Sequence, residues 1–117
     1  MTDEQFQYMT VVETRAFLSA VSRTMTEADR EEFVTFIAAN PQRGDLIPRT
    51  GGIRKIRWGI KGQGKSGGLR VIYYYHSARM PLFLLMAYGK SVKSDLAESE
   101  KVVMRRLVQE LKDQFLC

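Results

Sequence analysis

The chain has little of what metal and redox sites are built from: one cysteine, Cys117, and one histidine, His76, in 117 residues. A lone cysteine cannot close an internal disulfide, and it has no second thiol with which to build a metal site. A lone histidine excludes a paired-histidine nuclease mechanism within one chain. We therefore expect a protein that uses no cofactor and no bound metal.

Long hydrophobic runs are also missing. The longest, residues 80–88, is far shorter than the roughly 20 apolar residues that a membrane span needs. Residues 1–10 lack the basic start and the apolar stretch of a secretory signal. We expect a cytoplasmic protein without a membrane partner, and the length favours a single domain over residues 1–117.

Acidic residues are absent from residues 46–94, a basic window of 49 residues. The rest of the chain carries all thirteen acidic side chains and eight basic ones. An unpaired basic surface attracts polyanions, whereas ordinary globular surfaces mix both signs. The window therefore favours a nucleic-acid partner over a merely solubilising surface and argues against a carboxylate-bound divalent metal. Its ten basic residues are Arg49, Arg54, Lys55, Arg57, Lys61, Lys65, Arg70, Arg79, Lys90 and Lys93.

The hydrophobic pattern predicts an α+β domain in which two helices precede a small antiparallel sheet. Residues 8–12 read as a short edge strand and residues 13–21 as a short helix. Thr26, with Asp29 three residues later, predicts the start of a second helix, which ends at the proline of residues 40–41. Residues 41–51 are expected to form a loop.

The second half of the chain changes to the two-residue period of strands. Residues 53–60, 69–76 and 82–88 are predicted strands, which gives about four strands in all. The last is apolar on both faces and should lie inside the sheet. Residues 95–115 predict an amphipathic C-terminal helix, with Val103 among its core-facing residues.

The predicted strands gather basic side chains on one sheet face. Lys55 and Arg57 alternate onto the face opposite Ile56 and Trp58. If the apolar pair faces the helices, the two cations face solvent, and pairing with the next strand brings Arg70 close to them. Clustered cations repel one another unless an anion lies between them. The pattern thus predicts an anion site, with a solvated basic face as the alternative.

The glycine-rich stretch 61–68 lies between two predicted strands and lacks the GxxxxGK[ST] spacing of a phosphate loop. We interpret it as a hairpin loop in which Lys61 and Lys65 can reach phosphates and glycines allow close backbone approach. A plain flexible loop is the alternative interpretation.

A cationic cluster can cleave RNA without histidine or metal, because RNA supplies its own nucleophile, the 2′-hydroxyl. The enzyme then has to align that hydroxyl with the phosphorus, stabilise charge on the phosphate oxygens and move protons. Arginine suits the second task. A lysine among other cations, or a tyrosine, could serve the third.

Three segments, GGIRKIRW (51–58), KGQGKSGGLRVIYYY (61–75) and AYGKSVKSDL (87–96), together resemble the RelE superfamily of bacterial toxins, most closely its HigB-type branch. The resemblance covers residues 8–112. It implies a RelE-like toxin domain with a small antiparallel sheet, two helices before it and one after it. It also implies a toxin that cuts mRNA in the ribosomal A site and is encoded beside an antitoxin.

The resemblance implies a role for several basic residues. Arg70 would stabilise the phosphate, Lys55 and Arg57 would bind and activate around it, and Lys90 would follow the last strand. The expected catalytic residues are Lys55, Arg57, Arg70 and Lys90. The expected RNA-binding residues are Arg54, Lys61, Lys65, Tyr74 and Lys93.

The sequence departs from the family pattern at two positions. Ala97 stands where the best-known members have a tyrosine, and Ser91 where they have an arginine. The proton-transfer role therefore stays open between Tyr74, Lys90 and Lys55.

The expected activity is that of a metal-independent endoribonuclease acting on mRNA bound to the 70S ribosome. Its expected protein partner is an antitoxin of the helix-turn-helix DNA-binding type. A gyrase-poisoning toxin and a non-enzymatic nucleic-acid-binding protein are the alternatives.

Overall fold

The computed structural model describes residues 8–59, 68–89, 92–93 and 95–116 of the chain. Lys61, Lys65 and Lys90, three of the predicted site residues, lie outside these ranges. The described residues form three helices and five strands. In chain order these are β1 (Val11–Glu13), α1 (Arg15–Val21), α2 (Glu27–Ala39), β2 (Asp45–Leu46), β3 (Ile53–Trp58), β4 (Leu69–Tyr74), β5 (Leu82–Gly89) and α3 (Glu98–Leu116).

The strands form one sheet in the order β1-β5-β4-β3-β2, which confirms the α+β class. Strands β3, β4 and β5 pair antiparallel with one another, and β5 lies inside the sheet, as predicted. The predicted sheet was wrong at both of its edges. β1 pairs with β5 in parallel, so the sheet is mixed, and β2 pairs with β3 from within the expected loop 41–51. Two residues are too few for a strand period to show in the sequence.

The sheet has a hydrophobic core on each face. One core joins α1 and α2 to Leu69, Val71 and Tyr73 of β4. The other joins α3, through Val108, to Ile72 of the same strand. The sequence predicted that the face opposite α1 and α2 is open to solvent. In the structure α3 covers part of that face.

The helix starts follow local capping chemistry. Thr26 and Asp29 form a reciprocal capping box at the start of α2, as predicted. The Thr14 hydroxyl accepts a hydrogen bond from the Phe17 amide at the start of α1 and donates one to the Leu84 carbonyl of β5 (2.7 Å). This second bond ties the β1–α1 junction to the sheet.

Helix α3 begins at Glu98, three residues later than predicted. Its Val108 is buried, whereas Val103 is 59% exposed and does not belong to the core-facing stripe. Arg105 anchors the helix to the turn before β3 by donating a hydrogen bond to the Arg49 carbonyl (2.9 Å). Within the described ranges, no helix combines the length and the apolar composition that a membrane crossing requires.

Candidate nucleic-acid interface

Four side chains form a compact group on the α3 face of the sheet: Lys55, Arg57, Arg70 and Tyr88, which we call the Arg70 cluster. Arg57, Arg70 and Tyr88 lie directly opposite one another on β3, β4 and β5. Such cross-strand partners have Cβ atoms about 5 Å apart. Lys55 lies two residues along β3, about 7 Å from Arg57. The expected proximity of Lys55, Arg57 and Arg70 is thus present in the structure, while their catalytic roles stay predictions.

Tyr88 is the member of the cluster that sequence analysis missed. Its side chain is 7% exposed, and burial raises the pKa of its phenol, as does the Asp95 carboxylate, while Arg70 lowers it. The Lys93 ammonium lies 5.0 Å from the centre of the Tyr88 ring, within range of a cation–π contact. The phenol is therefore protonated at neutral pH and is available as a hydrogen-bond donor.

A β-bulge explains why Tyr88 was missed. The pairing of β4 with β5 shifts between Ile72 and Tyr73, whose partners are Met86 and Leu84. One extra residue, Leu85, is thereby inserted into β5. Strict alternation would put Tyr88 on the same face as Leu84, towards α1, whereas the bulge turns it to the α3 face beside Arg70. The "AYGK" segment was the available signal, but the side-chain direction was not readable from it.

Acidic residues from beyond the basic window fold back onto it. Asp95 lies 3.3 Å from the Lys55 ammonium, and Glu100 pairs with Lys93. A third acid, Glu98, pairs with Arg49 at the edge of the window (2.9 Å). The sequence suggested an unpaired window, but acids from just before α3 and from its first turn pair with part of it.

These acids are ionised at neutral pH. A hydrogen bond from the Leu96 amide, followed by the contact with Lys55, holds the pKa of Asp95 below its ordinary value. The pKa of Glu100 is lowered by its hydrogen bond from Lys93 and then by one from the Ala97 amide. The Arg70 cluster therefore carries its own carboxylate counter-charges, which an arriving phosphate would have to displace or compete with.

The structure does not bring Tyr74 to the cluster, although it shares a strand face with Arg70. It lies four residues away on β4, about 13 Å along the strand. Its side chain is 2% exposed in the core under α3, and burial raises its pKa. Tyr74 is thus a core residue with no route to an RNA phosphate beside Arg70, and it is not suited to proton transfer there.

Arg54 also lies away from the cluster, on the opposite sheet face, because it alternates with Lys55. Its guanidinium donates hydrogen bonds to the backbone carbonyls of Gln42 (3.1 Å) and Gly44 (2.7 Å). Beside it, the Tyr73 hydroxyl donates to the Pro41 carbonyl and accepts from the Gly44 amide. In this structure Arg54 holds the loop before β2 rather than facing the predicted RNA surface.

Lys93 does lie beside the cluster, through its contact with Tyr88. The other predicted residues of this region, Lys61, Lys65 and Lys90, lie outside the described residues, and Ser91 does as well. Ala97, at the position where related toxins have tyrosine, is exposed and directly precedes α3.

Metal ligands do not gather anywhere in the described part of the chain, where no group of three His, Cys, Asp or Glu side chains is close enough to hold an ion. His76 is exposed beyond the end of β4 that carries Tyr74, and its Nδ1 lies 3.2 Å from the Ser77 hydroxyl. It is therefore separated from Arg70 by the length of the strand.

A cleft of about 400 Å³ on the described surface also lies away from the cluster. It is lined by residues 8–10 and by the turn that joins β4 to β5, with Arg79 at its rim. The Arg70 cluster is a charged sheet surface rather than a deep pocket. Such a surface suits a long polyanion, whose phosphates meet several cations at once, better than a small molecule enclosed on all sides.

The arrangement can supply two of the requirements of RNA cleavage. Arg57 and Arg70 present guanidinium groups, which match the geometry of phosphate oxygens. Tyr88 adds a neutral donor in the same row. Like charges directly opposite each other in a sheet are unfavourable, so the Arg57–Arg70 pair is a place where a bound anion would relieve repulsion.

Comparison with protein families places the chain in a known family. The family model described as the RelE toxin of the RelE/RelB toxin–antitoxin system matches residues 9–115, nearly the whole chain. That range contains the five strands, the three helices except the last residue of α3, and the entire Arg70 cluster. The chain therefore belongs to the RelE family of toxins, whose members act within toxin–antitoxin systems and are paired with an antitoxin.

Proposed function

We propose that this toxin is a metal-independent endoribonuclease that cuts mRNA in the A site of the 70S ribosome and so stops translation. The observation that carries the proposal is the row formed by Arg57, Arg70 and Tyr88, with Lys55 beside it. These groups could hold and stabilise a scissile phosphate while the ribosome holds the mRNA in an extended conformation.

In the proposed reaction the 2′-hydroxyl attacks the adjacent phosphorus and the 5′-oxygen leaves. Arg70 stabilises the charge that grows on the phosphate oxygens, and Arg57 and Lys55 bind the backbone around it. Lys93 lies close enough to Tyr88 to contact a neighbouring phosphate. Because Tyr74 is remote, Lys55 and Lys90 remain as the candidates for proton transfer.

The proposed protein partner is an antitoxin that blocks or distorts the Arg70 cluster, and its helix-turn-helix class stays a prediction. An antitoxin that supplies carboxylates could extend what Asp95 and Glu100 already do within the toxin. The gyrase-poisoning alternative is less favoured, because the resemblance implies that members of that branch lack such a cationic cluster.

Primer extension on a defined mRNA, with and without programmed 70S ribosomes, tests the proposal. The wild-type toxin should cut within A-site codons only when ribosomes are present. Arg70→Ala should cut at least about 100-fold more slowly, because it removes a donor to the developing charge. Arg79→Ala is the matched control, since Arg79 belongs to the same basic window but lies in the turn at the far end of β4.

Absence of ribosome-dependent cuts by the wild type would overturn the proposed activity. If Arg70→Ala and Arg79→Ala lose cleavage rate equally, the proposed activity stands but its assignment to the Arg70 cluster fails. Cuts in free RNA without ribosomes would indicate an autonomous nuclease instead.

A further inference from the structure

Two side chains of the Arg70 cluster carry buried polar atoms that lack hydrogen-bond partners among the described residues: Arg70 Nη1 and Tyr88 Oη. Buried polar groups are nearly always hydrogen-bonded in folded proteins, and an unsatisfied one is destabilising. Three such atoms occur in the described part of the chain; one, Arg54 Nε, lies on the opposite sheet face, and the other two belong to residues that are direct partners across β4 and β5. Their coincidence in one cross-strand pair points to a ligand rather than to a packing accident.

Both atoms act as donors towards a common ligand. A guanidinium nitrogen donates hydrogen bonds and cannot accept them, and a protonated phenol can donate one. Burial keeps the Tyr88 phenol protonated. The complementary ligand is therefore an oxygen that accepts two hydrogen bonds and bears negative charge, which is the chemistry of a non-bridging phosphate oxygen.

Lys93 lies beside this donor pair, next to the Tyr88 ring. Its ammonium lies over the Tyr88 ring and is held there by Glu100. The Lys93 side chain is 29% exposed, so it lies at the rim rather than in the core. A phosphate bound by the donor pair can also contact Lys93, which would then exchange the Glu100 carboxylate for another anionic partner.

We propose that Arg70 Nη1 and Tyr88 Oη donate together to one non-bridging oxygen of the scissile phosphate, which makes Tyr88 a catalytic residue. This inference rests on the proposed ribonuclease function. In the step it assists, the bond between the 2′-oxygen and phosphorus forms while the bond from phosphorus to the 5′-oxygen breaks. The products are a 2′,3′-cyclic phosphate and a 5′-hydroxyl.

The two proton transfers of this step do not involve Tyr88. The 2′-hydroxyl loses its proton to a base, and the departing 5′-oxygen gains one from an acid, while the Tyr88 phenol keeps its own throughout. Its contribution is a fixed hydrogen bond to the oxygen on which charge accumulates. This distinguishes Tyr88 from a general acid or base, and from Tyr74, which lies in the core at the other end of β4.

The decisive variant is Tyr88→Phe, which removes the hydroxyl and keeps the ring over which Lys93 lies. Its single-turnover cleavage of ribosome-bound mRNA should fall by about 100-fold, the typical effect of losing one donor to a developing oxyanion. Its thermal unfolding midpoint should be unchanged or higher, because an unsatisfied buried hydroxyl has been removed. Tyr74→Phe is the matched control and should cleave at the wild-type rate.

A sulfur substitution tests the shared oxygen directly. Replacing one of the two non-bridging oxygens of the scissile phosphate by sulfur should slow the wild-type toxin for one diastereomer only. Tyr88→Phe should show a much smaller difference between the diastereomers, because one of the two donors to that oxygen is already gone. An undiminished difference, or cleavage by Tyr88→Phe within twofold of wild type, would overturn the inference.

A binding measurement separates failure of this inference from failure of the proposed function. A single-stranded oligonucleotide with 2′-deoxy sugars cannot be cut, so its affinity reports binding without cleavage, and the difference between wild type and Tyr88→Phe reports the hydroxyl. Tyr88→Phe should bind it about tenfold more weakly than wild type, as expected for one hydrogen bond to a charged group. If wild type binds but never cuts, the ribonuclease proposal fails and a weaker Tyr88→Phe complex still supports the donor pair. Equal binding by both proteins overturns the donor pair whether or not the toxin cuts.

Discussion

Replacing Asp95 by asparagine should strengthen the binding of single-stranded nucleic acid while leaving the fold intact. The Asp95 carboxylate lies 3.3 Å from the Lys55 ammonium and offsets part of the charge of the Arg70 cluster. Asparagine keeps an oxygen that can accept the hydrogen bond from the Leu96 amide. The change therefore removes a charge with little change of shape.

The size of the effect follows from Coulomb's law and from counterion release. A phosphate about 6 Å from the carboxylate is repelled by about 0.7 kcal/mol in a water-like dielectric, which is roughly a threefold change in Kd. One additional uncompensated cation should steepen the slope of log affinity against log salt by about 0.7 for a single strand. Stability should change by less than about 1 kcal/mol, because the Asp95 side chain is 55% exposed.

Fluorescence anisotropy of an uncleavable 2′-deoxy oligonucleotide, repeated over a series of salt concentrations, measures both quantities. Glu110→Gln is the matched control because it removes the same charge from α3. Glu110 lies twelve residues beyond Glu98 in that helix, about 18 Å along its axis and beyond the screening length of about 8 Å at physiological salt.

Two results would contradict the reasoning. Equal strengthening by Asp95→Asn and Glu110→Gln would show that net charge, rather than the position of Asp95, controls binding. Unchanged affinity and salt slope in Asp95→Asn would mean that bound phosphates do not approach Lys55, and the Arg70 cluster would lose its role as the binding surface.

Tyr73→Phe should lower the free energy of unfolding by about 2 kcal/mol, because it leaves the Pro41 carbonyl and the Gly44 amide without the buried hydroxyl that bonds both. Urea unfolding measures this, and an unchanged midpoint, or a loss of cleavage without a loss of stability, would contradict the structural role. Acidification should also destabilise the fold, since Asp95 and Glu100 have lowered pKa values in the folded protein. Their contribution is present above their ordinary values of 3.8 and 4.5 and is lost as pH falls through the lower folded values. Urea midpoints between about pH 6 and about pH 3 should therefore fall less in Asp95→Asn combined with Glu100→Gln than in wild type, and parallel curves would refute the assignment.

Local patterns predicted most of the fold because they act over a few residues. The capping pair Thr26 and Asp29 fixed the start of α2, and the two-residue period located β3 and β4. The two edge strands of the sheet were harder to predict. β2 is two residues long, and the parallel pairing of β1 with β5 depends on where α1 and α2 return the chain rather than on the sequence of β1 itself.

The sequence also placed only some of the candidate site residues correctly. Lys55, Arg57 and Arg70 could be grouped from sequence, because alternation sets their face and a hairpin pairs their strands. Tyr74 and Arg54 were misplaced, since sharing a strand or a basic window does not ensure proximity. Tyr74 lies about 13 Å from Arg70 along β4, and Arg54 alternates onto the other face, where it binds backbone carbonyls.

The sequence by itself determined the α+β class, the basic window and the proximity of Arg70 to Lys55 and Arg57, because these depend on composition, on side-chain period and on one hairpin. Only the tertiary structure decided what surrounds Arg70. The bulge at Leu85 turns Tyr88 onto the Arg70 face, and the approach to α3 returns Asp95 to Lys55. A single inserted residue reverses the direction of every later side chain in a strand, and an ion pair forty residues apart depends on the whole path of the chain between them.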